Sequence, residues 1–153
     1  MGFESREKVA QSVGTSTRKI SCRTRNTLLG QSMSPGALQA LVQRCATHLI
    51  PVEERIKEAL KAAEVLHQDE TGCYVMGQCH WVHVSATARL THYACHPKRG
   101  GEALDAIGIL PTFQDISVRD GWKSYQRYDC AHALCNVHHL RELTFMAEQH
   151  HQM

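Results

Sequence analysis

The chain has 153 residues, with 42% hydrophobic and 21% charged residues, a globular composition that excludes a disordered, collagenous or rod-like chain. No apolar run approaches the roughly 18 residues of a membrane span, and the start lacks a secretory core, so a cytoplasmic location is expected. The formal charge of +2 is unevenly placed: residues 1–30 carry six Lys or Arg against two Glu, whereas the rest carries eleven against thirteen Asp or Glu. Seven cysteines without regular spacing point to reduced thiols.

Residues 1–33 form a basic, loosely ordered leader on this reading. Ser34-Pro35-Gly36 is a helix start, a capping residue before proline. Leu38, Leu41, Val42, Cys45 and Leu49 then form one apolar stripe, Pro51 interrupts it, and Val52, Ile56, Leu60 and Ala63 form a second. Two helices paired as a hairpin over residues 34–64 are therefore expected.

From Val65 the period changes. Val65 to Thr71, Cys79 to Ser85 and Leu90 to Cys95 read as three strands in a meander, turning at Gly77 between the first two. Bulk on both sides of the second strand predicts a sheet covered on both faces. After the basic loop His96-Pro97-Lys98-Arg99-Gly100-Gly101, residues Glu102 to Ile107 suit a helix that stops at Gly108. Ile116 to Asp120 reads as a fourth strand, Gly121 to Tyr128 as a short helix or turn, and Ala131 to Cys135 as a fifth strand. Val137 to about Gln149 reads as a closing helix with Leu140, Leu143 and Met146 inward. The order β-β-β-α-β-α-β-α after the leading helices makes this an α/β fold with an antiparallel start and parallel additions, spanning residues 65–153.

Asp69 and Asp120 fall at predicted strand ends, where α/β sheets gather their sites. If the first and fourth strands are neighbours, the two carboxylates meet, and their repulsion calls for a hard cation such as Mg²⁺ or Mn²⁺. Such a pair suits phosphoryl transfer. Cys130, Cys135, His138 and His139 offer a competing set of zinc ligands, although a strand between the cysteines would separate them.

The segments His67-Gln68-Asp69-Glu70-Thr71-Gly72, His80-Trp81, HPKRG at 96–100, EALDAIGILP at 102–111, DGWKSY at 120–125 and CAHALCNVHHLREL at 130–143 occur in one order. Together, over roughly residues 34–148, they resemble the insertion sequence 66 family of transposases. The resemblance implies a ribonuclease H-like core of the DDE type that cuts and joins DNA at transposon ends. By similarity, Asp69 and Asp120 are its first two catalytic acids and metal ligands. The family's third acid, a Glu, has no counterpart here, and Arg119 stands where a His is expected. The chain therefore reads as a truncated transposase, inactive alone, or alternatively as a non-catalytic DNA-binding or subunit-interaction module. Homo-oligomerisation is a further expectation.

Glu142 lies on the closing helix but belongs to a different family motif, and it is read as a surface residue. Lys98, Arg99, Lys123 and Arg127 are the candidate DNA-phosphate contacts, with Arg141 beside them and Trp122 and Tyr125 as stacking surfaces. Glu70, Asp105, Asp115 and Asp129 are read as structural.

Overall fold

The structure is a computed structural model and describes residues 34–150. The expected leader at 1–33 lies outside the described residues. Helix α1 spans Pro35–Lys61, with Ser34 Oγ accepting from the Ala37 amide at 3.1 Å and proline in the first turn. It corrects the expected hairpin, because α1 is one helix that passes through Pro51. The residues explain why: Leu38, Val42, Cys45, Leu49, Val52, Ile56 and Leu60 stay in phase across the proline, so a single stripe needs no reversal. Proline there removes one amide from the ladder without ending it. The stripe is buried at its two ends and open between them: Leu38 is 8% exposed, Leu60 is fully buried with Ile56 packed beside it, and Val42, Leu49 and Val52 are exposed.

Strands β1 (Val65–Val75), β2 (Gln78–Ala86) and β3 (Thr91–His96) form the meander. Met76 and Gly77 have φ of 52° and 78°, two successive left-handed residues that give the tight turn its twist. Helix α2 (Gly101–Ile107) ends at Gly108, whose φ of 75° suits glycine at that cap. A 3-10 turn at Leu110–Thr112 leads to β4 (Ile116–Arg119), a second at Lys123–Arg127 leads to β5 (Ala131–Leu134), and helix α3 (Asn136–His150) follows.

The sheet order is β3-β2-β1-β4-β5. β1 pairs antiparallel with β2 and parallel with β4, β2 pairs antiparallel with β3, and β4 pairs parallel with β5. An antiparallel meander with two parallel strands added beside the first is a ribonuclease H-like sheet, as the sequence resemblance implied. The mixed α/β architecture follows the predicted order from β1 onward.

One face holds the core. Leu66 on β1 meets Leu60, Leu104, Ile109, Leu110, Phe113, Tyr125 and Tyr128. Each buried aliphatic or aromatic side chain of this kind contributes about 1.5–3 kcal/mol of transfer free energy. Side chains alternate along β1, so Gln68 and Glu70 share the Leu66 face, where Ser85 Oγ donates to Gln68 Oε1 at 3.0 Å. Among the described residues the opposite face is largely open: Val65, Ile116 and Tyr93 are exposed. This corrects the expectation of a sheet covered on both sides. The inward reading of α3 is corrected too, since Leu140, Leu143 and Met146 are 64%, 67% and 54% exposed. Periodicity identifies an apolar stripe on α3 but not what that stripe faces, and α3 packs little against the sheet. No helix among the described residues is long and apolar enough to cross a membrane.

Candidate nucleic-acid processing site

The β1/β4 register pairs Val65 with Ile116, Leu66 with Ser117 and His67 with Val118. Continued by two residues, it sets Asp69 beside Asp120, immediately after β4 ends at Arg119. Asp69 is not at the end of its strand, as the sequence suggested, because β1 runs on to Val75. What ends there is its parallel neighbour, and that leaves Asp69 at a notch in the sheet.

Asp69 is largely exposed, its Oδ1 accepting from the Glu70 amide at 2.9 Å. His138 Nε2 of α3 lies 3.9 Å from the same oxygen. Asp120 is more enclosed. Its Oδ1 accepts from the Trp122 amide at 2.9 Å, a turn that fixes the carboxylate, and its Oδ2 faces Arg99 Nη2 at 3.5 Å.

Arg99 is the centre of a network that sequence reasoning missed. Its Nε donates to Glu70 Oε1 at 2.8 Å, and its guanidinium stacks 4.0 Å from the Trp122 ring centroid and 4.9 Å from that of Trp81. Tyr125 donates its hydroxyl to the other oxygen of Glu70. Burial drives the Tyr125 phenol far above its ordinary range, reinforced by the Glu70 hydrogen bond and by the negative fields of Glu70, Asp120 and Asp69. The three carboxylates therefore act on one neighbourhood, with Glu70 reaching it from the core face. The available signal was an acidic residue at a core-facing position of β1, which demands a partner once buried.

The other candidates fall into different settings. Arg127 pairs with Asp105 at 3.2 Å, in space left by Gly101, where a side chain would collide with it. Lys98 is exposed on the loop before α2, and its carbonyl faces His83 Nε2 at 3.2 Å. Lys123, Arg141 and Glu142 line the same cleft as Asp120, beside the start of α3. Tyr125 is 1% exposed, which corrects its reading as a stacking surface, whereas Trp122 is 42% exposed. Asp105 accepts from the Tyr128 hydroxyl at 2.8 Å. Cys130 is buried, and that burial raises its thiol pKa, while Cys135 precedes α3 and accepts the amides of His138 and His139 on its carbonyl. Among the described residues, no three His, Cys, Asp or Glu side chains form a group able to hold a metal ion. Neither the zinc set nor a third ligand beside Asp69 and Asp120 is assembled there.

The profile described as Transposase IS66 family matches residues 21–153. The chain belongs to that transposase family. The match begins upstream of Ser34, so it takes in part of the basic leader for which the sequence motifs indicated no likeness. No curated protein matches the chain. Among solved structures, the chain is similar to the catalytic core domain of the HTLV-2 integrase, solved in complex with magnesium in a trimeric form. The identity is 15%, the TM-score 0.38, and the match covers 56% of this chain and 67% of that one. In this IS66-family chain Asp69 lies on β1 and Asp120 directly after β4, with the Arg99 guanidinium 3.5 Å from Asp120.

Proposed function

We propose that this transposase-family chain is a fragment contributing the first two carboxylates of a DDE-type centre for DNA strand cleavage and transfer at transposon ends. The observation that carries the reading is the shared β1/β4 register of Asp69 and Asp120 at the notch where β4 stops. Two hard oxygen donors fit Mg²⁺ or Mn²⁺, ions commonly held by one or two carboxylates with water and substrate phosphate completing the shell. A divalent ion bound there supplies Lewis-acid stabilisation of the charge that builds on a phosphodiester. Asp69, largely exposed, and Asp120, its carboxylate fixed by the Trp122 amide, would hold such an ion. Lys98 and Lys123 are the cations offered to DNA phosphate, with Arg127 reaching it from its ion pair with Asp105, and Arg99 bridges Glu70 and Asp120. Such a chain works in the cytoplasm, with DNA as partner and self-association as a further property.

Because no third ligand joins the pair among the described residues, the fragment is expected to bind metal weakly and to cleave little DNA alone. That same observation favours the second reading, a non-catalytic module that binds DNA or another transposase subunit. Calorimetric titration of Mn²⁺ into the wild type and into the Asp69→Asn, Asp120→Asn double variant tests the site. Saturable binding that disappears in the variant is expected, and equal heats in both proteins would remove the assignment. Metal-dependent nicking of supercoiled plasmid, abolished in Asp120→Asn, separates an enzyme from a binding module.

A further inference from the structure

We propose that the cleft between the Asp120 loop and the first turn of α3 is a subsite for a backbone phosphate of DNA, next to the one held at the paired carboxylates. The inference rests on the DNA-processing reading and adds a specific place for the neighbouring nucleotide. The cleft encloses about 670 Å³ and is lined by Arg119, Lys123, His138 and His139.

The decisive residue is Arg119. It is 4% exposed and permanently charged, and it lines the cleft. Its Nη1 is held by the Asp120 carbonyl at 2.8 Å, but its Nε has no hydrogen-bond partner. An unmet donor on a buried guanidinium is costly, the guanidinium otherwise lying 5.7 Å from the Tyr125 ring centroid, and an oxyanion in the cleft that Arg119 lines would meet its permanent positive charge. His138 adds a second unpartnered buried nitrogen, Nδ1.

The helix end points the same way. Within the first turn of α3, the His138 and His139 amides turn back to the Cys135 carbonyl, which leaves those of Asn136 and Val137 as the free amides of the helix start. The first turn contains no acidic side chain to offset the positive end of this 15-residue helix. The two carboxylates in the cleft do not reverse this balance. Asp120 already faces Arg99, and three cations, Arg119, Lys123 and Arg141, line the cleft against the two carboxylates.

A polymer fits better than a free ion. The space around Gly121 is empty, since a side chain there would meet nothing within 4 Å, and the half-exposed Trp122 ring at the rim offers a surface for a sugar or base.

The test uses the full chain in EDTA, so that metal plays no part. Affinity for a short fluorescent duplex is measured by anisotropy over a salt series. His138→Ala and Lys123→Ala are each expected to weaken binding about three- to tenfold, and Lys123→Ala also to flatten the log K against log salt slope by about 0.9 for the phosphate no longer neutralised. Lys61→Ala, which removes an exposed ion pair with Glu58 on α1, is the control. Arg119→Gln is compared with them if circular dichroism shows it folded. Wild-type affinity and slope in both the His138 and Lys123 variants would overturn the subsite. Inorganic phosphate is titrated in parallel against the histidine ring signals. Phosphate binding that His138→Ala abolishes, with duplex binding unchanged, would overturn the DNA assignment in favour of a free-phosphate site. The Asp69→Asn, Asp120→Asn double variant distinguishes the two proposals. If metal binding is unaffected by it while Lys123→Ala still flattens the salt slope, the metal-site reading fails and the subsite stands.

Discussion

Glu70 and Arg99 meet through a 2.8 Å hydrogen bond from Nε to Oε1, linking the core face of β1 to the basic loop before α2. The Glu70 side chain is 1% exposed, and Arg99 carries the same charge outward to Asp120. The pair holds a buried carboxylate and reaches a proposed metal ligand with one guanidinium.

Arg99→Ala should destabilise the fold by about 2–4 kcal/mol, below the largest cost of breaking a buried pair because Arg99 is itself partly exposed. Urea unfolding would measure it. In the same variant, Asp120 is freed of a competing cation, so Mn²⁺ affinity should rise; an unchanged or lower affinity in a folded Arg99→Ala would show that Arg99 does not compete.

Tyr125→Phe should cost about 1–3 kcal/mol by taking one donor from Glu70. Tyr125 and Tyr128 both have their pKa raised, first by burial and then by a hydrogen bond to a carboxylate. The native state therefore keeps protons that the unfolded chain releases near pH 10. Stability is fully present below that value and falls as pH climbs above it. Absorbance at 295 nm should show these two phenols ionising only as the protein unfolds.

His83 behaves in the opposite direction. Burial lowers its pKa from the ordinary value near 6.5, with the Lys98 carbonyl bond only partly offsetting it. The unfolded imidazole takes up a proton below pH 6.5 before the folded one does, so His83 costs stability as pH falls through that range. In His83→Gln the denaturation midpoint should vary less between pH 7 and pH 5 than in the wild type.

Pro51→Ala should stabilise α1 by roughly 1–3 kcal/mol, restoring the missing N–H···O hydrogen bond within a helix that already continues through it. Guanidinium unfolding with an unchanged slope would confirm the gain, and a drop in stability would mean that the proline is needed for α1 to seat Ile56 and Leu60.

The strands were readable in the sequence because their punctuation is local: Gly77 and Gly108 occupy left-handed positions that few other residues accept. Whether Asp69 could approach Asp120 depended on which strands are neighbours, and β1 and β4 are adjacent and parallel. Two features were hidden for physical reasons. A proline in α1 looks like a stop, yet the apolar phase on either side agrees, and phase decides the outcome. Glu70 was hidden because its role depends on Arg99, 29 residues away, and on Tyr125, 55 away. Such pairings leave no trace in spacing. The same limit explains α3, whose stripe was visible and whose exposure was not.

β1 carries Leu66 in the core and Asp69 in the open notch, three positions apart and therefore on opposite sides of one ribbon. A single inserted or deleted residue between them would turn the carboxylate inward against the apolar layer while leaving the anchor in place. A change in length on this strand thus separates the anchor from the carboxylate, which a substitution at an intervening position does not do.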